Sequence, residues 1–325
     1  MGGSASPVGA TPGLFERAAT GAALWAGLTL LATGPARARI GWLELLLLLA
    51  VLVVVPLSIS AFLGVAGTGR ATSFAWRVQP LGTASALAAL LVARGWTSAS
   101  LGGVSALVSL ASAVAVGRRL RRGGQGIRET TVPAGGLVFL ALGSIALVLW
   151  RGHVLSIGLT DLTTGLIALL LLFAGVGAVA LAILAETATP GSSRTLRAGL
   201  GVVAAVPAIA LGFAWAVAIG VAGGALLEAS LIWLGLVSLR RSSSRGPWVS
   251  RVLLAASFLA ALASSILGAG WALEGWLGAH TPYLPDPVPL SATIAGLGSV
   301  VAGLIGWTLL VRVSSGASGA PEMGL

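Results

Sequence analysis

The stretch from Gly223 to Leu236, GGALLEASLIWLGL, is apolar on both sides of a single carboxylate, Glu228. An acid in such a run has one of two uses. It exchanges a proton or a cation, or it is a carboxyl held neutral and bonded to a neighbouring hydroxyl or carbonyl. Its own run offers no basic partner, so both uses stay open. Glu44, near the start of GWLELLLLLAVLVVVPLSIS, can reach the headgroup region. Gln79 opens a third apolar run. Glu228, Glu44 and Gln79 are therefore the candidates for contacting a substrate or a proton.

Catalytic constellations are sparse. His153 and His280 are the only histidines, both in connecting loops where Asp161 and Asp286 also fall. Two separated histidines do not make a metal site, so solvated loop side chains are expected, with no bound metal or cofactor. No glycine-rich phosphate loop, nucleophile elbow or carboxylate pair at acid/base spacing is present, so no catalytic residue is assigned.

The elements that must carry these residues follow from composition. Of 325 residues, 57% are hydrophobic and 9% charged, against about 25% charged in ordinary soluble domains. The mean hydropathy is +1.01. Apolar runs of the roughly 20 residues that cross a bilayer recur along the chain, predicting an all-α polytopic transmembrane bundle. Ten spans can be drawn: Arg17–Thr33, Gly41–Phe62, Val78–Ala93, Ser98–Val116, Val132–Trp150, Leu162–Ala185, Leu196–Ala218, Gly223–Leu239, Val249–Trp271 and Val288–Val313. Residues 196–239 as one helix would run about 66 Å, so the chain must turn, and the glycines of AIGVAGG (218–224) permit a turn there. That places Glu228 about 9 Å into its span. The organisation is a polar N-terminal segment (1–16), a transmembrane domain (17–313) and a disordered small-residue tail (314–325).

The net charge of +10 comes from 19 arginines and no lysine. They cluster between apolar runs, which is the pattern of membrane topology rather than of a nucleic-acid groove. If the spans alternate from a cytoplasmic N-terminus, every arginine except Arg37, Arg39, Arg94 and Arg151 lies inside. Both termini are then cytoplasmic, and the expected location is the cytoplasmic membrane. The partner is the lipid bilayer, and GRRLRRGG (117–124) also suits anionic lipid. Alternatively Ala36-Arg37-Ala38, a small-x-small pattern after a short apolar run, marks a cleaved signal and leaves nine spans. Cysteine is absent, which excludes disulfides and thiolate metal sites.

Small residues recur at four-residue spacing: Ala256, Ala260, Ser264 and Gly268; Gly298, Ala302 and Gly306; Gly212, Ala216 and Gly220. Such faces predict close helix packing. Pro56, Pro80 and Pro207 lie in or just inside spans and can kink them. Ten spans with both ends inside also suit two five-span repeats.

In order, LELLLLLAVLVVVPLSI, RVQPLGTASALAALL, GRRLRRGG leading into VFLALGSIALVLWRGHVLSIG, LLLLFAGVGAVALAILAE, GGALLEASLIWLGL and VPLSATIAGLGSVVAGLIGW resemble the YndJ-like family of bacterial multi-pass membrane proteins. The resemblance implies a His-x-His pair in the sixth span and a His and an Asn in the last. Here those places hold Leu170 and Leu172, and Ser291 and Ala295, so this chain is a divergent member without the family's intramembrane histidines. The resemblance brings no particular activity. The functional expectation is a small-solute or proton-linked transporter, with a membrane-embedded enzyme or cofactor protein, or a structural subunit, as alternatives.

Overall fold

The computed structural model describes residues 14–33, 40–67, 69–122, 127–154, 159–188, 193–245, 247–277 and 287–317. The expected cleavage pattern at 36–38, His280 and Asp286 lie outside them. Among the described residues there are ten helices and no strand: α1 (Leu14–Thr33), α2 (Trp42–Ala66), α3 (Arg70–Leu91), α4 (Trp96–Arg122), α5 (Ile127–Arg151), α6 (Asp161–Ala188), α7 (Ser193–Ala214), α8 (Val217–Arg245), α9 (Trp248–Leu277) and α10 (287–317). Each matches one expected span, which establishes the helical bundle. Eight hold a stretch long and apolar enough to cross a membrane. α1 and α3 are less apolar, because Glu16 and Arg17 occupy the former and Arg77 and Gln79 the latter.

Helices consecutive in sequence pack side by side, from the α3–α4 hairpin to the α9–α10 pair. The most enclosed are α2 and α6: 89% of the apolar window of α2 is buried, against 28% for α8. Helices at the margin carry exposed Leu107, Val217, Leu259 and Ile266. Broad apolar surface of this kind indicates a membrane environment.

The centre is built from three stretches of wider π-helical winding, Ala50–Val54 in α2, Leu171–Gly177 in α6 and Ile294–Val301 in α10. In α2 the cause is local. Pro56 has no N–H to give the Leu52 carbonyl four residues back, and its ring crowds that carbonyl, so the helix widens. Gly21 of α1 sits against the same Leu52 carbonyl, where any Cβ would collide. The three stretches meet at Gly177, where a Cβ would strike Val54 and Val300. Wider winding of this sort is frequent at functional sites.

The turn between α7 and α8 differs from expectation. It falls at Trp215–Ala216, and α8 begins at Val217. The glycines expected to make the turn instead let two backbones touch. A Cβ on Gly212 would strike the Gly220 main chain, and one on Gly223 would lie 2.8 Å from the Ile209 nitrogen. Of the four-residue faces, Gly298 packs against Ala260 and Gly306 against Leu254, but Ala256 and Gly268 are exposed, and Gly212, Ala216 and Gly220 fall on two helices and the turn between them rather than on one face. Pro80 and Pro207 are carried inside continuous helices.

Candidate functional site

Glu44 lies in the first turn of α2 and Asp161 in the first turn of α6, which is opened by Thr160 with its hydroxyl accepting from the Thr163 N–H. Carboxylates are favoured at helix N-termini, where backbone N–H groups are unpaired. Both helices start at the same end of the bundle, beside the α3–α4 turn and the last turn of α5. Arg94 in that turn donates to Glu44 Oε1 at 3.0 Å and to Asp161 Oδ2 at 2.5 Å. Its guanidinium carbon lies 4.1 Å from the ring centroid of buried Trp150, a cation–π arrangement. Arg151, only 2% exposed, approaches Glu44 Oε1 at 3.6 Å, donates from Nε to Ser98 Oγ at 2.7 Å, and reaches the Val92 carbonyl. His153 Nδ1 is 3.5 Å from Asp161 Oδ1, so the expected nearness of His153 to Asp161 is realised. Two arginines thus face two carboxylates and tie four helices together. Every charge in the cluster has an opposite beside it, and Glu44 is paired with both arginines.

Gln79 lies further inside than a span-opening residue. α3 starts at Arg70, which puts Gln79 about 13 Å along the helix. It is 4% exposed, and its amide donates to Thr83 Oγ1 at 2.7 Å. Together with Ser105, Ser109, Ser112 and Ser144 these residues border a niche of about 30 Å³, whose remaining wall includes Leu172. Ser144 donates to Ser109 Oγ at 2.9 Å. The niche is neutral and of water-molecule dimensions.

Glu228 stands apart from both groups. Because α8 starts at Val217 rather than Gly223, the residue is about 16 Å along the helix, close to the middle of a crossing. Its carboxyl faces α9, where Ser265 Oγ is 2.7 Å from Oε2 and Ser264 Oγ is 3.4 Å from Oε1. Both hydroxyls also point at the Ala261 carbonyl, at 2.7 Å from Ser265 and 3.1 Å from Ser264. Each serine has one hydroxyl hydrogen to give. With Glu228 protonated, the acid donates to Ser265, and Ser265 donates to Ala261, so every group is satisfied. With Glu228 ionised, a serine must turn from its carbonyl to the carboxylate. Among the described residues no arginine forms an ion pair with Glu228.

Glu228 also lines a cavity of about 390 Å³. α6 contributes Leu166, Leu169, Leu170 and Phe173; α7 gives Ile209 and Phe213; α10 gives Ser291, Ala295, Gly296 and Val300. Among the described residues Glu228 and Ser291 are the polar side chains on its wall. Phe213 and Gly268, also on the wall, are exposed and mark its mouth. Three of the four positions at which the resemblance implies polar residues, Leu170, Ser291 and Ala295, converge here, and the fourth, Leu172, lines the niche beside Gln79.

The structure therefore gathers the three candidates at three separate places. Sequence reasoning counted Arg94 and Arg151 only as topological charges and missed them as the partners of Glu44. It took Ser264 as a packing residue and passed over Ser265. A doublet of hydroxyls in an apolar run was the available signal, but no spacing rule links it to a carboxylate on another helix. No curated protein and no solved structure matches the chain. A family model described as YndJ-like protein matches residues 45–298, from within α2 to within α10 and most of the chain, and the protein belongs to that family.

Proposed function

We propose that the protein is a multi-pass transporter of the cytoplasmic membrane that moves a small solute in exchange for a proton, with Glu228 as the group that carries the proton. The observation behind this reading is a mid-helix glutamate on the wall of a cavity whose other polar side chain, among the described residues, is Ser291, its carboxyl partnered among those residues by serine hydroxyls that can serve it in either protonation state. A carboxylate kept ionised for stability needs a cation beside it, because an isolated charge in hydrocarbon is costly. A neutral structural carboxyl needs only the hydroxyls, and Glu228→Gln separates that case from proton transfer. The arginine distribution supports an orientation with the Glu44 end outside, the Arg118–Arg122 end facing the cytoplasm and anionic headgroups, and both termini inside.

The test is solute-dependent proton movement. Purified protein is reconstituted in vesicles holding a pH-sensitive dye, and a panel of small amines, alcohols and acids is added outside with the membrane potential clamped. Wild type should move protons with at least one member of the panel, and Glu228→Gln should reduce that movement to the level of empty vesicles while keeping the fold. Wild-type flux from the Gln variant, or no response of wild type to any panel member, sinks the proposal.

A further inference from the structure

The cavity's chemistry narrows the solute, on the premise that Glu228 is the proton-carrying group proposed above. We infer that its ligand is a lipophilic amine: an apolar body of modest size carrying one protonated nitrogen.

Three observations lead there. First, among the described residues the walls are leucine, isoleucine, valine, phenylalanine, alanine and glycine apart from Glu228 and Ser291. An occupant with several polar groups would leave them without partners, and each unpaired group in a dry site costs on the order of 1–3 kcal/mol. Second, Glu228 is the one ionisable residue on that wall among the described residues, and its carboxyl is engaged there by the neutral hydroxyls of Ser264 and Ser265 rather than by a cation. It selects a donor, and among donors a cation. Third, the cavity wall includes exposed Phe213 and Gly268, and among the described residues their neighbours in sequence Trp215, Val217 and Ile266 are exposed and apolar, surroundings that suit a molecule arriving from the lipid phase.

Charge conservation gives the exchange its logic. In the resting site the carboxyl is neutral and donates its proton to Ser265. As the ammonium enters, the carboxyl O–H bond breaks, the proton leaves to water at the mouth, and the ammonium N–H groups donate to the carboxylate. No covalent bond to the amine forms. The site is neutral before and after, so neither state holds an uncompensated charge in the membrane. Release reverses the steps: a proton returns to the carboxyl and the amine departs as its cation.

The experiment is calorimetric binding to the protein in lipid nanodiscs, with empty nanodiscs subtracted. The probes are n-hexylamine, n-hexanol and n-hexanoate, titrated in two buffers of different ionisation enthalpy so that released protons are counted. Wild type should bind the amine at least tenfold more tightly than the alcohol, release about one proton per amine, and reject the acid. Glu228→Gln should lose the proton release and the preference for amine while keeping hexanol binding. Ala295→Phe, which fills the cavity, should abolish both; Gly268→Leu at the mouth serves if that variant does not fold. Equal binding of amine and alcohol by wild type, amine binding without proton release, or undiminished binding by the filled variant overturns the inference. Amine binding with proton release but no flux in vesicles would retain this ligand class and defeat transport. Flux driven by alcohols or acids, without amine preference, would retain transport and defeat this ligand class.

Discussion

Glu44 and Glu228 are both carboxylates on largely apolar helices, and their surroundings differ in every respect that matters. Around Glu44 stand Arg94 and Arg151, with Asp161 sharing Arg94, and the cluster joins α2, the α3–α4 turn, α5 and α6. Around Glu228 stand two serines and a cavity. A charge matched by opposite charges is fixed, because changing its protonation leaves a buried partner uncompensated. A carboxyl matched by hydroxyls is free to change, because a hydroxyl donates or accepts with equal ease. The number of acids in the membrane therefore says less than the kind of neighbour each one has.

The comparison is broken most directly at Arg151. Arg151→Ala removes one cation from Glu44 and leaves Ser98 Oγ and the Val92 carbonyl short of a donor, so it should destabilise the protein by on the order of 3 kcal/mol. Thermal unfolding in a fixed detergent measures it. A fall in Tm no larger than that of Glu228→Gln would mean that the Glu44 cluster is not the structural one of the two.

Glu228→Leu should act in the opposite direction. Ser264 and Ser265 keep the Ala261 carbonyl as partner, so no hydroxyl is stranded, and a mid-membrane carboxyl is replaced by a side chain like its neighbours. Stability should rise by up to about 1 kcal/mol while proton movement is lost. A loss of stability comparable to that of Arg151→Ala would make Glu228 a structural residue.

The smallest effect belongs to the edge of the Glu44 cluster. His153 is more than half exposed and meets Asp161 at only 3.5 Å, so His153→Ala should change stability by no more than about 0.5 kcal/mol. Elemental analysis should give the same metal content for variant and wild type. A metal lost on substitution would turn the His153–Asp161 contact into a ligand set.

Much of the architecture was legible in one dimension. The ten expected spans appear as ten helices among the described residues, and Gly298 packs on Ala260 as the four-residue faces of α9 and α10 imply, although Ala256 and Gly268 of the same α9 face are exposed. What misled was glycine. Gly220 and Gly223 were read as turn formers, whereas they allow α7 and α8 to touch, and the turn falls at Trp215–Ala216. Glycine permits both a reversal and a close approach, and only a neighbouring helix decides between them. The error carried over to the site, since it placed Glu228 nearer a helix end than it lies.

By itself the sequence determined the helical class, the number of helices, the apolar character that suits a bilayer and the identity of its few polar residues. Those follow from runs about as long as a membrane is thick, a property that needs no knowledge of neighbours. Tertiary structure alone decided that Arg94 and Arg151 belong to Glu44, that Ser264 and Ser265 belong to Glu228, and that α6, α7, α8, α9 and α10 leave a cavity between them. Hydropathy records what each residue prefers as a solvent. Pairing and cavities depend on which residues, far apart in the chain, the packing of helices brings into contact.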